Sequence, residues 1–204
     1  LDKKTKIIEP FPNLQVSIIV QDMENAKKIF EGLLVLQYRS GNRKAFTLLV
    51  KRYNSKMCNQ AYWFTRDKDI AKDIVQDSWG VILKNLPHLK NPNSFGSWAM
   101  RIVTRRAIDY VNKIHRDRQK LQDYFYTPKE DNDPDHGESD LSKIYGAIKG
   151  LPQDQQIVLR LFYVEDYSLR EISQILEKSE GTVKSRLYHA REKLKTILKN
   201  GNHE

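Results

Sequence analysis

Four carboxylates, Asp67, Asp69, Asp73 and Asp77, stand close together in the chain, a set of groups able in principle to hold a divalent cation and aim water at a phosphodiester. Asp73 and Asp77 are one helical turn apart, yet no histidine is spaced to complete a hard-ion site with them. The single cysteine, Cys58, has no histidine near it in sequence, which leaves it without an activating base and rules out an intramolecular disulfide or a CxxC pair. No Gly-rich phosphate loop, HExxH pair or GxSxG elbow is present, and His88, His115, His136, His189 and His203 lack ligand spacing. No catalytic residue, metal site or cofactor is therefore assigned. The chemistry on offer is binding. Lys and Arg number 35 against 26 Asp and Glu, a net charge of +9, which favours an extended polyanion as partner, with nucleic acid ahead of an anionic membrane surface.

The basic groups are patterned. At about 100° per residue, Gly181, Thr182, Ser185, Tyr188 and His189 fall opposite an apolar stripe of Val183, Leu187, Ala190, Leu194 and Ile197, with Lys184 and Arg186 on the flanks. Small, hydroxylated and basic groups of this kind suit a major groove, whereas the plainer alternative is a solvated helix surface. Upstream, Trp98, Arg101, Arg105, Asp109 and Asn112 share one face, and Ala99, Val103, Ala107, Tyr110 and Val111 are left for a core. Arg116, Arg118 and Lys120 extend the positive charge beyond it. On a helix from about Ile70 to Leu86, Asp73, Gln76, Asp77 and Gly80 mark an acidic side opposite Ile74, Ser78, Val81 and Asn85.

These faces need helices to carry them. Ser168-Leu169-Arg170-Glu171 is a capping box that starts a short helix burying Leu169, Ile172, Ile175 and Leu176. After the turn Glu177 to Ser179 a second helix follows, and the pair makes a helix-turn-helix. Pro152 stands where a helix can begin without a missing N–H. No alternation long enough for a sheet occurs. The expected fold class is all-α, with two small helical domains joined by a flexible acidic linker. The domains are 26–118 and 141–200. The linker, 119–140, holds Asp123, Glu130, Asp131, Asp133, Asp135, Glu138 and Asp140 around Pro128, Pro134 and Gly137. Residues 1–25 are read as an N-terminal extension, a disordered tail being the plainer reading, because Val16 to Val20 shows no helical period. No apolar run approaches a membrane span and no signal-peptide pattern precedes the first domain, so a reducing cytoplasm is the expected location.

Gly181-Thr182-Val183-Lys184-Ser185-Arg186-Leu187, followed by Ala190-Arg191 and Lys193-Leu194, resembles the minus-35-reading helix of the extracytoplasmic-function class of sigma-70 RNA polymerase sigma factors. The likeness runs back through Leu151-Pro152, Arg160-Leu161 and Glu171-Ile172. Asp73, Gln76 and Asp77 resemble the segment with which sigma factors dock on the polymerase's largest subunit. Ser97 to Ile102 and Ala107 to Tyr110 resemble the promoter-melting helix. There are departures: Glu177 and Lys178 stand where the family usually has glycine and an aliphatic residue, Arg105 replaces an asparagine, and His189 replaces an arginine.

The resemblance implies a factor that binds core RNA polymerase and directs promoter-specific initiation, under the control of an anti-sigma factor. Asp73, Gln76 and Asp77 would bind the core. Asn93, Phe95, Trp98, Arg101 and Arg105 would meet minus-10 DNA, the loop Lys90 to Phe95 lying where the family pockets a flipped base. Gly181, Thr182, Lys184, Ser185, Arg186 and His189 would read the minus-35 duplex. The rival readings are a stand-alone helix-turn-helix regulator and a metal-dependent hydrolase built on the four aspartates.

Overall fold

Short polar side chains open the helices. Asn42 accepts from the Lys44 N–H at 3.1 Å, and Asp67 accepts from the Asp69 and Ile70 N–H groups at 2.8 and 3.0 Å, each satisfying donors that the first helical turn leaves free. The computed structural model describes residues 12–122 and 140–200, which contain eight α-helices and no strand. The all-α reading holds. The first group is α1 (Pro12–Arg39), α2 (Arg43–Thr65), α3 (Lys68–Asn85) and α4 (Phe95–Gln122), with 3-10 turns at Leu86–His88 and Pro92–Ser94 between the last two. The second is α5 (Asp140–Lys149), α6 (Gln153–Tyr163), α7 (Leu169–Leu176) and α8 (Glu180–Asn200).

Two boundaries differ from the sequence reading. α1 starts at Pro12, well before the Ala26 at which the periodicity opens, so Val16 to Val20 is helical. Proline at the first helical position loses no needed hydrogen bond, and its presence therefore says nothing against a helix. Likewise α4 runs on to Gln122, through the start of the segment assigned to the linker. Residues 1–11, 123–139 and 201–204, which hold most of the tail and the acidic linker, lie outside the described residues.

In the first group Leu49, Met57, Ile82, Leu86, Phe95, Met100 and Val103 are buried. The helices meet closely at two glycines: a side chain at Gly32 would strike the Asn93 amide, and one at Gly96 would strike the Tyr53 hydroxyl. Arg39 fastens the 3-10 turn to α1 by donating to the Leu86 carbonyl at 3.3 Å and to the Leu89 carbonyl. In the second group Val158, Leu161, Ile172, Val183, Leu187 and Ala190 close a smaller core. The buried residues of both groups belong to one cluster, and α7 packs along α4.

Candidate nucleic-acid interface

The helix-turn-helix is built from local rules. The Ser168 hydroxyl accepts from the Glu171 N–H at 3.3 Å while the Glu171 carboxylate accepts from the Ser168 N–H at 3.0 Å, so both halves of the capping box form. Burial alone would raise the Glu171 carboxyl. Hydrogen bonds from the Ser168 hydroxyl, from Lys28 at 2.9 Å and from the Ser168 N–H outweigh that and hold it below the usual carboxylate range. α7 ends at Glu177 in the left-handed region, φ 54°, and the Ser179 hydroxyl accepts from the Thr182 N–H at 3.1 Å at the start of α8.

On α8, burial of Val183, Leu187 and Ala190 leaves Gly181, Lys184, Ser185, Tyr188 and His189 exposed together. Thr182 is half-buried, its hydroxyl 2.8 Å from that of Ser179. Arg186 turns aside, its Nε donating to Asp154 on α6 at 2.9 Å, and so braces the recognition helix instead of standing free on its outer face.

α4 carries the second basic face. Ala99, Val103 and Ala107 are buried, as their spacing predicts, while Arg105, Asp109 and Asn112 are exposed and Trp98 and Arg101 are half-buried. Trp98, Arg101 and Arg105 border a cleft of 790 Å³ whose other walls include Lys90, Asn91 and Ser94 of the preceding loop and Gln174 of α7. Two predicted members are not there. Phe95 is fully buried, edge-on to Tyr53 at 5.3 Å between ring centroids, so it is a core residue and not a surface on which a base can stack. Asn93 is exposed but lies against Gly32, on a separate cavity of 670 Å³ shared with Lys28, Glu31 and Arg52.

On α3 Asp73, Gln76 and Asp77 are all exposed, and Asp77 accepts from Arg106 of α4 at 3.4 Å. Asp67 is engaged as a helix cap, and Asp69 pairs with Lys72 at 2.9 Å. Among the described residues no group of three or more histidine, cysteine or acidic side chains is placed to hold a metal ion.

Residues 49–117 match the family model described as Sigma-70 region 2, and residues 141–194 match that described as Sigma-70, region 4. The chain is 31% identical over 133 residues to the RNA polymerase sigma factor SigV of Bacillus subtilis, covering 64% of this chain and 76% of that one. With the ECF RNA polymerase sigma-E factor of Haemophilus influenzae it shares 28% identity over 186 residues, 85% of this chain and 97% of the relative. The chain belongs to the extracytoplasmic-function sigma factors. The fold of this sigma factor is also that of two solved structures, each at 22% identity. One is CnrH in complex with the cytosolic domain of CnrY, with a TM-score of 0.61 over 84% of this chain and 98% of that one. The other is the sigma factor RpoE in complex with the anti-sigma factor NepR from Bartonella quintana, with a TM-score of 0.60 over 76% of this chain and 98% of that one.

Some features of the sigma factor escaped the sequence reading. Glu31 is buried and accepts from Arg52 Nε at 2.8 Å and from the Tyr53 hydroxyl at 2.7 Å. Burial, then the Glu31 charge, pushes the Tyr53 phenol well above its ordinary range. The position of Glu31 three and four residues before the buried Leu34 and Val35 was the available signal, since an acid on an apolar stripe requires a partner. The fully buried Gln60 donates to Thr104 at 3.2 Å and accepts from Arg160 Nε at 3.1 Å, joining α2, α4 and α6. Nothing local announces that link. No described helix is long and apolar enough to cross a membrane.

Proposed function

We propose that this sigma factor docks on core RNA polymerase through Asp73, Gln76 and Asp77. It engages the opened minus-10 strand with Trp98, Arg101 and Arg105 of α4. It reads the minus-35 duplex with Gly181, Thr182, Lys184, Ser185 and His189 of α8, with Arg186 as a brace. The observation that carries this reading is the presence of two separate basic faces in one chain. One stands beside a cleft bordered by an aromatic ring, suited to unstacked bases, and the other lies on a helix-turn-helix suited to a groove. The acidic face of α3 complements a basic partner surface. Phosphate attraction comes from Arg101, Arg105 and Lys184, while catalysis of RNA synthesis belongs to the polymerase and none to this chain. The protein works in the cytoplasm, where polymerase and DNA are. An anti-sigma partner restrains it, by analogy with the RpoE–NepR complex whose fold it shares.

The test is transcription from a panel of promoters by core polymerase with and without the protein, repeated with Asp73, Gln76 and Asp77 replaced by alanine. Initiation that appears with the native chain and disappears with the triple variant supports the reading. Promoter binding without polymerase, and no initiation, would instead make it a stand-alone regulator.

A further inference from the structure

α7 presents a row toward the first group of helices. Glu171, Gln174 and Glu177 recur every third residue and so lie along one face. Glu171 meets Lys28 of α1 at 2.9 Å, and Gln174 lies 3.5 Å from the Ser97 hydroxyl of α4. Glu177 bridges two arginines of α4, accepting from Arg101 and from Arg105, the latter at 3.3 Å. Gln174 also forms a wall of the cleft beside Trp98. The contact masks one basic face and spares the other, because Lys184, Ser185 and His189 stay exposed on α8.

Glu177 holds a further cue. Its φ of 54° is a backbone conformation in which glycine is at ease and a side-chain-bearing residue is strained, so the helix-turn-helix turn would be better served by glycine. The carboxylate has a use on α4 rather than in the turn: it places an anion on the arginines that a DNA phosphate would otherwise engage.

We propose that Glu177 is an internal phosphate mimic that latches the helix-turn-helix onto α4 and withholds Arg101 and Arg105 from single-stranded DNA until the two groups of helices part. This rests on the assignment of α4 to minus-10 DNA. The latch is made of exposed ion pairs, with the three side chains 42 to 66% accessible, so it is weak, screened by salt and readily released when a stronger partner engages either group.

Two variants of the full chain test it. Glu177→Gln keeps the side chain's size and removes its charge, and a Ser97→Cys/Gln174→Cys pair, oxidised, holds the groups together. The probe is a fluorescent, A/T-rich single-stranded DNA of about 20 nucleotides, read by anisotropy, while small-angle X-ray scattering reports separation of the groups. Glu177→Gln is expected to widen the scattering envelope and tighten DNA binding about threefold to tenfold at low salt, a gain that fades toward about 0.5 M salt. The oxidised cysteine pair is expected to bind more weakly than the same protein reduced. An unchanged envelope and unchanged affinity in Glu177→Gln would overturn the latch while leaving the role of α4 standing. A widened envelope with no gain in DNA binding would instead overturn the assignment of Arg101 and Arg105 to DNA.

Discussion

α8 and α4 bear the two basic faces, and they are supported in different ways. α8 is oriented chiefly by its own group of helices: the capping box of α7, whose Glu171 also takes Lys28 of α1, the Ser179 cap, the buried Ile172, Val183 and Leu187, and the Asp154 brace on Arg186. α4 depends on distant partners. Its start is packed through Phe95 and Gly96 against Tyr53, its middle is tied through Thr104 to Gln60, and its arginines face α7. The basic face of α8 is thus held by short-range partners, and that of α4 by partners far away along the chain.

The largest test of this contrast is Ile172→Ala. Ile172 is fully buried on α7, so its truncation should cost about 2–5 kcal/mol, and the contrast predicts that duplex binding weakens before the first group is affected. Thermal unfolding followed by signals from each group of helices, with duplex binding alongside, checks it. A loss spread equally over both groups would break the contrast.

Glycine to alanine should act with opposite sign in the two places. Gly96→Ala drives a methyl group into the Tyr53 hydroxyl and should destabilise by about 1–3 kcal/mol. Gly181→Ala meets only the Ser179 hydroxyl, at 3.8 Å, and should stabilise the start of α8 by up to about 1 kcal/mol. Denaturant midpoints of the two variants, compared with the native chain, decide it.

Ser168→Ala removes one half of the capping box and should cost about 1 kcal/mol, seen in the same denaturant series. The smallest effect is in acid. Because the Glu171 carboxyl is held below its ordinary range when folded, its contribution is present above the unfolded value, about 4.3, and disappears as pH falls through the lower folded value. Native protein should therefore lose up to about 1 kcal/mol more than Glu171→Gln between about pH 5 and pH 3. Urea midpoints across that range measure it, and equal losses would show that the capping-box carboxylate adds nothing as a charge.

The same contrast explains what was legible in the chain. The helix-turn-helix could be read because its signals are short-range: a cap three residues from its partner and an apolar stripe at helical spacing. The acidic side of α3 and the buried side of α4 were legible for that reason too. Phe95 was misplaced because its burial is decided by Tyr53, which no spacing rule connects to it. Arg186 looked like one more cation on a basic helix until Asp154 of α6 claimed it. The start of α1 was missed because Pro10, Phe11 and Pro12 read as punctuation, although the last of them is compatible with a helix. The row Glu171, Gln174 and Glu177 was visible as a sequence, but its counterparts lie on α1 and α4, beyond the reach of periodicity.

The bond between Gln60 and Arg160 joins residues 100 positions apart. A ribosome releases the first of them long before it has made the second. Through that interval α1 to α4 can already pack, since Gln60 donates to Thr104 without help and water can serve its free oxygen. Contacts between the two groups, Lys28 with Glu171 among them, close long loops of chain and so carry a large loop-closure entropy. In a nascent chain of this protein α4 is complete before α7, which packs along it, has been made.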